Sequence, residues 1–564
     1  MTTDASSPSA LGRFARTLTW GALIYWGVYA LVAPVTTIDS QMYNLARVEL
    51  AARDGLFNND YFTSVFHIIF PWSYDVVHLP FLGLGWGYAL PSFFCLIGIC
   101  QVVFTMFRAR CGVDAAWVAV LSLLALPCLV YQATSTKNDI PILFCGAVWV
   151  YARWRWRREE GGVHLVWMVL AIGFLTGVKS SGLLYGPILA LWTLWELRGQ
   201  RRLALRVGGG LLGAILLFGS VETYVESARI YGHPLGPPPL IHRLSNHDGI
   251  RGGLANLIRH GAAGVYVGPT HFGDGQVAPW ALANAARKVL DWAGVTDAGI
   301  DPRFGDHRLF FTQSGLEELS GYGPIGTLAV AIIFCAGFYW RPRALWWQLA
   351  AAALLGFWVV SLTVAYNSWT NRYLISWYAL GTVALVAALW AREMRGSRAL
   401  RWSYLGVVGA SVIAAPLLSF NRGPAAILAS LVDRDQFETV SAPLLGKVRD
   451  RLRRLRAQSP ASHVYYVVND ESVLLPVLED KQLAAILVTP TVFLNLAAQG
   501  QLATGDLVIE DRETPFPFLT KIEAVTAPNV FSDNQILTRW ICRVGDASAV
   551  KSASRHQGGT VSPP

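Results

Sequence analysis

Apolar residues in this chain come in runs of about twenty, the length a helix needs to cross a bilayer. Eleven such runs can be placed: 14–34, 86–107, 114–132, 139–155, 163–179, 182–197, 205–228, 322–340, 345–366, 373–391 and 402–420. The first is long for a signal-peptide core and lacks a clear small-residue cleavage site, so it reads as an uncleaved anchor. Two long polar stretches interrupt the runs, at 36–85 and 230–321. After Phe420 the pattern changes to short strand-like runs, VYYVVND, AAILVTP and DLVIED, separated by helix-like or turn-like segments. They predict a small α/β soluble domain within 421–545, with its core from about residue 440. The basic stretch KVRDRLRRLRAQ predicts its leading helix. The tail 546–564 lacks core-forming residues and reads as disordered.

Composition sharpens the class. The chain has 564 residues, 53% hydrophobic and only 15% charged, where soluble domains carry about a quarter charged residues. Twenty-two Trp and twenty Tyr suit membrane interfaces. The expected fold is therefore an α-helical polytopic membrane protein with about eleven transmembrane helices and a small C-terminal α/β domain.

The net charge of +9 invites a nucleic-acid reading, but the arginines mark topology instead. With residues 1–13 cytoplasmic, every inner segment is basic: Arg13 and Arg16; Arg108 and Arg110; Arg153 to Arg158; Arg198 to Arg206; Arg341 and Arg343; Arg392 to Arg401. The short outer segments carry far less positive charge, as the positive-inside rule requires. No nucleic-acid partner is needed. On this topology the C-terminal domain is extracytoplasmic. Seven cysteines lie mostly in or beside apolar runs without a CxxC pair. They read as small buried hydrophobes.

Polar groups at membrane depth are costly, so they usually face a cavity or a partner. On this topology several gather at the outer ends of the spans. Asp39 follows the first, and Asp75 and His78 precede the second. Lys137 and Asp139 lie between the third and fourth, Lys179 between the fifth and sixth, and Arg372 between the ninth and tenth. Carboxylates at such a mouth can draw a proton from an acceptor hydroxyl or hold a divalent cation. Lys and Arg can hold a phosphate and stabilise it as it leaves. An apolar groove can hold a lipid tail. Together these parts suit transfer of a sugar from a lipid phosphate.

Plainer roles are open to each residue. Asp39 can cap the helix of SQMYNLARVEL. Asp139 can cap the fourth span, with Pro141 in its first turn. Asp75 and His78 can hydrogen-bond at the interface, and Lys137 and Lys179 can snorkel to the surface. Lys179 also ends an apolar run beside small residues that allow close backbone approach. Asp60 and the loop histidines His233, His242, His247, His271 and His307 offer a metal or acceptor contact, but lone loop residues of this kind more often read as surface residues. Gly208–Gly210 has no preceding strand and no GK[ST], so it predicts close helix packing, not a nucleotide loop.

The arrangement resembles the GT-C superfamily of polyprenyl-phosphate-sugar-dependent glycosyltransferases over about residues 14–390. It looks most like the branch of aminoarabinose transferases, protein mannosyltransferases and RgtA/B/C/D-like proteins. In TTIDSQMYNLARV, Asp39 matches the family's acid at the start of the first outer loop, which implies a general base. QATSTKNDIP resembles the branch's Thr-x-Asn-Asp segment and implies Asp139 as the second acid. YDVVHLPFLG resembles the segment entering the second helix and implies Asp75, with His78 beside it, as a metal- or donor-binding site. TGVKSSG implies that Lys179 meets the donor phosphate, to which Lys137 and Arg372 also offer charge. NRYL resembles a late Arg-Tyr motif, although the exact Gly-Arg-Tyr form is absent.

The resemblance implies transfer of a monosaccharide, with inversion, from a polyprenyl-phosphate donor to a glycan, lipid or protein acceptor at the outer face of a bacterial inner (plasma) membrane. A divalent metal, Mg or Mn, is compatible with this chemistry and not required by it. Membrane lipids surround the spans. A lipid-linked-sugar flippase or transporter and an oligosaccharide ligase are the alternatives. A flippase should carry basic residues deep within its spans, and these spans are nearly free of them.

Overall fold

The computed structural model describes residues 8–33, 40–55, 65–82, 84, 86–159, 161–265, 280–301, 321–367, 370–391, 397–419, 422–432, 443–458, 463–468, 483–510, 516, 518–528 and 536–545. Contacts divide the chain into two compact units. One contains residues 1–33, 71–77 and 86–428; the other contains 34–70, 78–85 and 429–564.

The first unit is helical, and each of the eleven apolar runs lies on helix. Four helices are long and apolar enough to cross a membrane: Leu90–Cys111, Leu345–Thr363, Arg372–Leu389 and Arg398–Leu417. The number is six if each of two bent pairs is one span, so the chain is a multi-pass membrane protein. Gly162–Val178 and Gly323–Phe338 are apolar but shorter.

Both bends have local causes. Val113–Leu124 and Pro127–Ala133 meet at 75°. Pro127 lacks the N–H that would continue the helical ladder, and Cys128 N donates instead to the Gly321 carbonyl at 3.0 Å. Arg201–Phe218 and Val221–Tyr231 meet at 63°. There Ser220 has φ 51°, a left-handed conformation that a residue with a side chain seldom adopts. Its hydroxyl holds the corner by accepting from Trp72 N at 2.8 Å and Ser73 N at 3.0 Å.

Glycine does not act where the run of three predicted. A side chain at Gly209 would meet open space, and at Gly208 or Gly210 only ordinary contacts. The close approach is made by Gly173, where an added Cβ would come within 2.8 Å of the Ala214 backbone. The Gly-Gly-Gly stretch does not face the neighbouring helix closely, which apolarity alone could not reveal.

The second unit contains the expected α/β domain. Its strands are β1 Val464–Val467, β2 Ile486–Val488, β3 Leu507–Glu510, β4 Leu519–Pro528 and β5 Ile536–Val544, in the order β2-β1-β3-β5-β4. β1 runs parallel to β2 and β3, and β5 runs antiparallel to β3 and β4. The unbroken apolar runs VYYV and LVIE suit strands covered on both faces. Val464, Tyr466, Leu507 and Ile509 join a cluster with Val448 and Leu452 of the helix Pro443–Gln458. Tyr465, Val467 and Val508 join the other cluster, with Phe493 of the helix Pro490–Ala498.

One contributor to the first cluster comes from far away in sequence. Ala46, on the helix Leu45–Asp54 of the first long loop, is buried among Val448, Leu452 and Ile509. Arg47 beside it is buried and donates to the carbonyls of His67 and Phe70. The rings of Tyr43, Phe66 and Phe70 pack against one another.

Candidate functional site

The helix Gly162–Val178 ends in the extended residue Lys179, and the next helix, Gly182–Glu196, starts three residues later. That break turns the Lys179 side chain toward Asp139, the first residue of the helix Asp139–Glu159. Lys179 Nζ donates to Asp139 Oδ1 at 2.6 Å, with side-chain exposures of 11% and 5%. Asn138 secures the two segments, donating from Nδ2 to the Val178 carbonyl at 3.0 Å. Asp139 is therefore ion-paired and does not act as a simple helix cap. Its second oxygen, Oδ2, is buried and has no hydrogen-bond partner.

Gly177 explains how Lys179 is placed. A Cβ there would strike the Phe218 carbonyl oxygen and the Ser73 hydroxyl. Ser73 N donates to the Gly177 carbonyl at 3.2 Å, and the Ser73 hydroxyl donates to the Phe218 carbonyl. Tyr224 OH donates to the Thr176 carbonyl at 3.0 Å. The close approach expected beside Lys179 thus exists, with the Ser220 corner as its support. One residue after Ser73, Tyr74 OH lies 2.5 Å from Ser92 Oγ, which donates to the Lys137 carbonyl at 3.1 Å. Polar contacts through residues 73 and 74 therefore join the segment before Asp75 to the loops of Lys137 and Lys179.

A third element reaches the pair. The 3-10 turn Thr370–Leu374 carries Arg372 and Tyr373. Lys179 Nζ lies 4.8 Å from the centre of the Tyr373 ring, and Arg372 Cζ lies 5.5 Å from it. One aromatic ring thus stands against two cations, an attractive arrangement for the ring's negative face. Tyr373 was not singled out from the sequence, although its place beside Arg372 in NRYL was available. Tyr185, three residues into the next helix, packs edge-on against Trp377 at 5.5 Å.

The remaining candidates have clear placements. Lys137 is buried, so it does not snorkel to the surface. Asp75 and His78 are both buried in the turn Asp75–Phe81; Asp75 falls in the helical unit and His78 in the second. Asp39, Asp60, His271 and His307 lie outside the described residues. His242 and His247 stack at 3.8 Å on each other. Among the described residues no three His, Cys, Asp or Glu side chains gather as a metal centre. None of the seven cysteines forms a disulfide.

The second long loop contributes a different polar cluster, which sequence reasoning missed. Arg259 is buried on the helix Gly249–Ala263 and donates to the carbonyls of Ala298 at 2.6 Å and Thr296 at 2.5 Å. His260 next to it is fully buried, and neither ring nitrogen has a hydrogen-bond partner. Burial, then the Arg259 charge, push its pKa down to about 3, so the ring is neutral.

This geometry can do specific chemistry. A cation held by one carboxylate oxygen, with a second cation across an aromatic ring, can accept a phosphate. Fixed charges in a buried setting can stabilise charge that develops on a departing phosphate oxygen.

Neither a family model nor a curated protein sequence matches the chain. Solved structures do. The chain is similar to ArnT from Cupriavidus metallidurans bound to undecaprenyl phosphate, with a TM-score of 0.52 and 16% identity over 95% of this chain and 98% of that one. The apo state of the same protein gives a TM-score of 0.51 and 16% identity over 97% and 99%. The likeness spans both helical and α/β parts. It shows that the chain shares that protein's fold, a helical part followed by a C-terminal domain.

Proposed function

We propose that this protein transfers a monosaccharide from a polyprenyl-phosphate donor to an acceptor hydroxyl at the outer face of a bacterial inner membrane. The observation that carries the reading is the buried Lys179–Asp139 pair beside Tyr373 and Arg372. A buried ion pair is a poor source of stability, because desolvation cancels much of the attraction. This one also leaves Asp139 Oδ2 without a partner, an added cost. Such a cost is expected where charge is needed for binding or catalysis. The fold shared with ArnT, solved with undecaprenyl phosphate, supports the same chemistry.

In this reading the donor's lipid tail lies against apolar helices, and binding supplies orientation. Lys179 contacts the donor phosphate, Arg372 is the second cation, and Lys137 adds positive charge. Asp139 holds the Lys179 ammonium in position. The acceptor oxygen attacks the anomeric carbon as the bond from that carbon to the phosphate oxygen breaks. The bonding electrons leave with the polyprenyl phosphate, and the hydroxyl proton passes to Asp39. Direct displacement inverts the sugar carbon. The acceptor is a glycan, a lipid or a protein.

The test is transfer by purified protein with a panel of polyprenyl-phosphate sugars, with wild type beside Asp39→Asn and Lys179→Met. Activity with at least one donor, nearly lost in both variants, is expected. Full activity in Asp39→Asn removes that residue as the base. No transfer with any donor, alongside measurable lipid flipping, replaces the enzyme with a transporter. Stripping with EDTA and adding back Mg2+ or Mn2+ determines whether a cation at Asp75 or His78 contributes.

A further inference from the structure

The helices that begin at Asp139 and end at Glu196 carry a second polar group far from the first. Arg153 is fourteen residues along its helix from Asp139, about 21 Å at 1.5 Å per residue. Here a groove of about 750 Å³ opens between the two helices. Arg153, Arg157, Arg198, Glu196, Trp192 and Trp195 line it.

Charge in the groove is unbalanced. Glu196 is the lining carboxylate, and its side chain is only 6% exposed. Its Oε1 accepts from Arg153 at 2.5 Å, and Trp192 Nε1 donates to it at 3.1 Å. Arg157 lies 3.2 Å from the same oxygen. Its Oε2 is buried and has no hydrogen-bond partner. Three guanidinium groups against one carboxylate leave two positive charges in excess. Arg157, paired to Glu196 on one side, is still 60% exposed at the side chain, so the rest of its guanidinium faces solvent. Arg198 stacks on Trp195, with its Cζ 4.2 Å from the ring centre.

An apolar track leads to these charges. Ile188, Leu191, Trp192 and Trp195 are all exposed. Their spacing of three and four residues places them on one face of the helix Gly182–Glu196. Trp at the end of an apolar stripe, followed by arginine, is the pattern of a membrane–water interface. A basic pocket between membrane helices suits a lipid head group.

We infer that this groove binds an anionic phospholipid of the phosphatidylglycerol class. The phosphate meets Arg157 and Arg198, an acyl chain follows Ile188, Leu191 and Trp195, and a head-group hydroxyl supplies the donor that Glu196 Oε2 lacks. The site is separate from the Asp139–Lys179 pair and does not depend on the proposed reaction. The lipid is a resident of the interface, not a substrate.

The test is native mass spectrometry of the full chain, delipidated and then exposed to phosphatidylglycerol or phosphatidylcholine. Phosphatidylglycerol should be retained preferentially, and Arg157→Gln/Arg198→Gln should weaken it about thirty-fold, as loss of two interfacial arginines predicts. Arg157→Lys/Arg198→Lys should keep most of the binding, which separates lost charge from damaged structure. Equal retention of both lipids, or unchanged phosphatidylglycerol binding in the Gln variant, overturns the inference. So does displacement of the lipid by millimolar inorganic phosphate, which would mean that the groove reads phosphate alone.

Discussion

Removing the charge from Lys179 separates what the ion pair does for folding from what it does for chemistry. In Lys179→Met the stem is nearly kept and the ammonium is lost. Asp139 then has no partner at all, because Oδ1 was held by Lys179 at 2.6 Å and Oδ2 was already unpaired. A buried charge left without its partner costs about 3–5 kcal/mol. In Asp139→Asn the lysine keeps a neutral amide acceptor and the face of Tyr373 at 4.8 Å, so the cost should be smaller, about 1–3 kcal/mol. The double variant Asp139→Asn/Lys179→Met has no buried charge at this position. It should recover about 2–3 kcal/mol relative to the sum of the single changes, as contacting residues do in double-mutant cycles. Thermal unfolding of the four proteins in one detergent measures the cycle. Transfer measured on the same samples gives the second readout. Stability should return in the double variant while activity stays lost, because a neutral pair cannot hold a phosphate. Additive losses would refute the coupling, and recovered activity would refute the assigned role of the charges.

The remaining predictions use the same assays. His67 and His260 are both buried and neutral, each with its pKa pushed down to about 3 by burial. A folded-state pKa below the unfolded value of about 6.5 means that their stability is full above pH 6.5 and declines as pH falls toward 3. The loss at pH 5.5 is about 1.4 kcal/mol for each, and a thermal midpoint unchanged between pH 7.5 and 5.5 would contradict it. His260→Phe should abolish half of that slope and cost nothing at pH 7.5, since two unpaired ring nitrogens leave the core. Gly177→Ala should lower both stability and transfer, by about 1–3 kcal/mol for an overpacked contact, because its Cβ meets the Phe218 carbonyl oxygen. Tyr373→Phe should behave like wild type, while Tyr373→Leu should raise KM for the donor roughly tenfold through loss of two ring–cation contacts.

Much of the helical unit was legible because a membrane span must be apolar over its whole length. Every predicted run proved helical, yet Pro127 and Ser220 split two of them at angles that hydropathy does not register. Asp139 and Lys179 were legible as polar residues at the ends of runs. Their partnership was not, since they are 40 residues apart. Tyr373 escaped because an aromatic beside a span reads as an interface residue whether or not a cation sits on it. The α/β domain was legible from VYYV and LVIE, but the strand order was not, because any such run suits any central position. Nor could the sequence indicate that Ala46 of the first loop is buried in that domain's core, since a single alanine carries no periodic signal.

That last contact bears on the candidate base. Asp39 lies just ahead of the helical stretch Ser40–Asp54. Ala46 anchors this stretch in one cluster with Val448 and Leu452, and Arg47 ties it to the carbonyls of His67 and Phe70. The proposed base thus directly precedes, in sequence, a helical stretch held in the core of the sheet. A catalytic base needs accurate position more than it needs strength, and a loop alone supplies little accuracy. Packing Ala46 into that core gives the helix Leu45–Asp54 such support. On this argument the C-terminal domain matters to transfer even if it never touches substrate. Loosening the Ala46 contact should then reduce turnover with donor affinity unchanged, because Lys179 and Arg372 belong to the other unit.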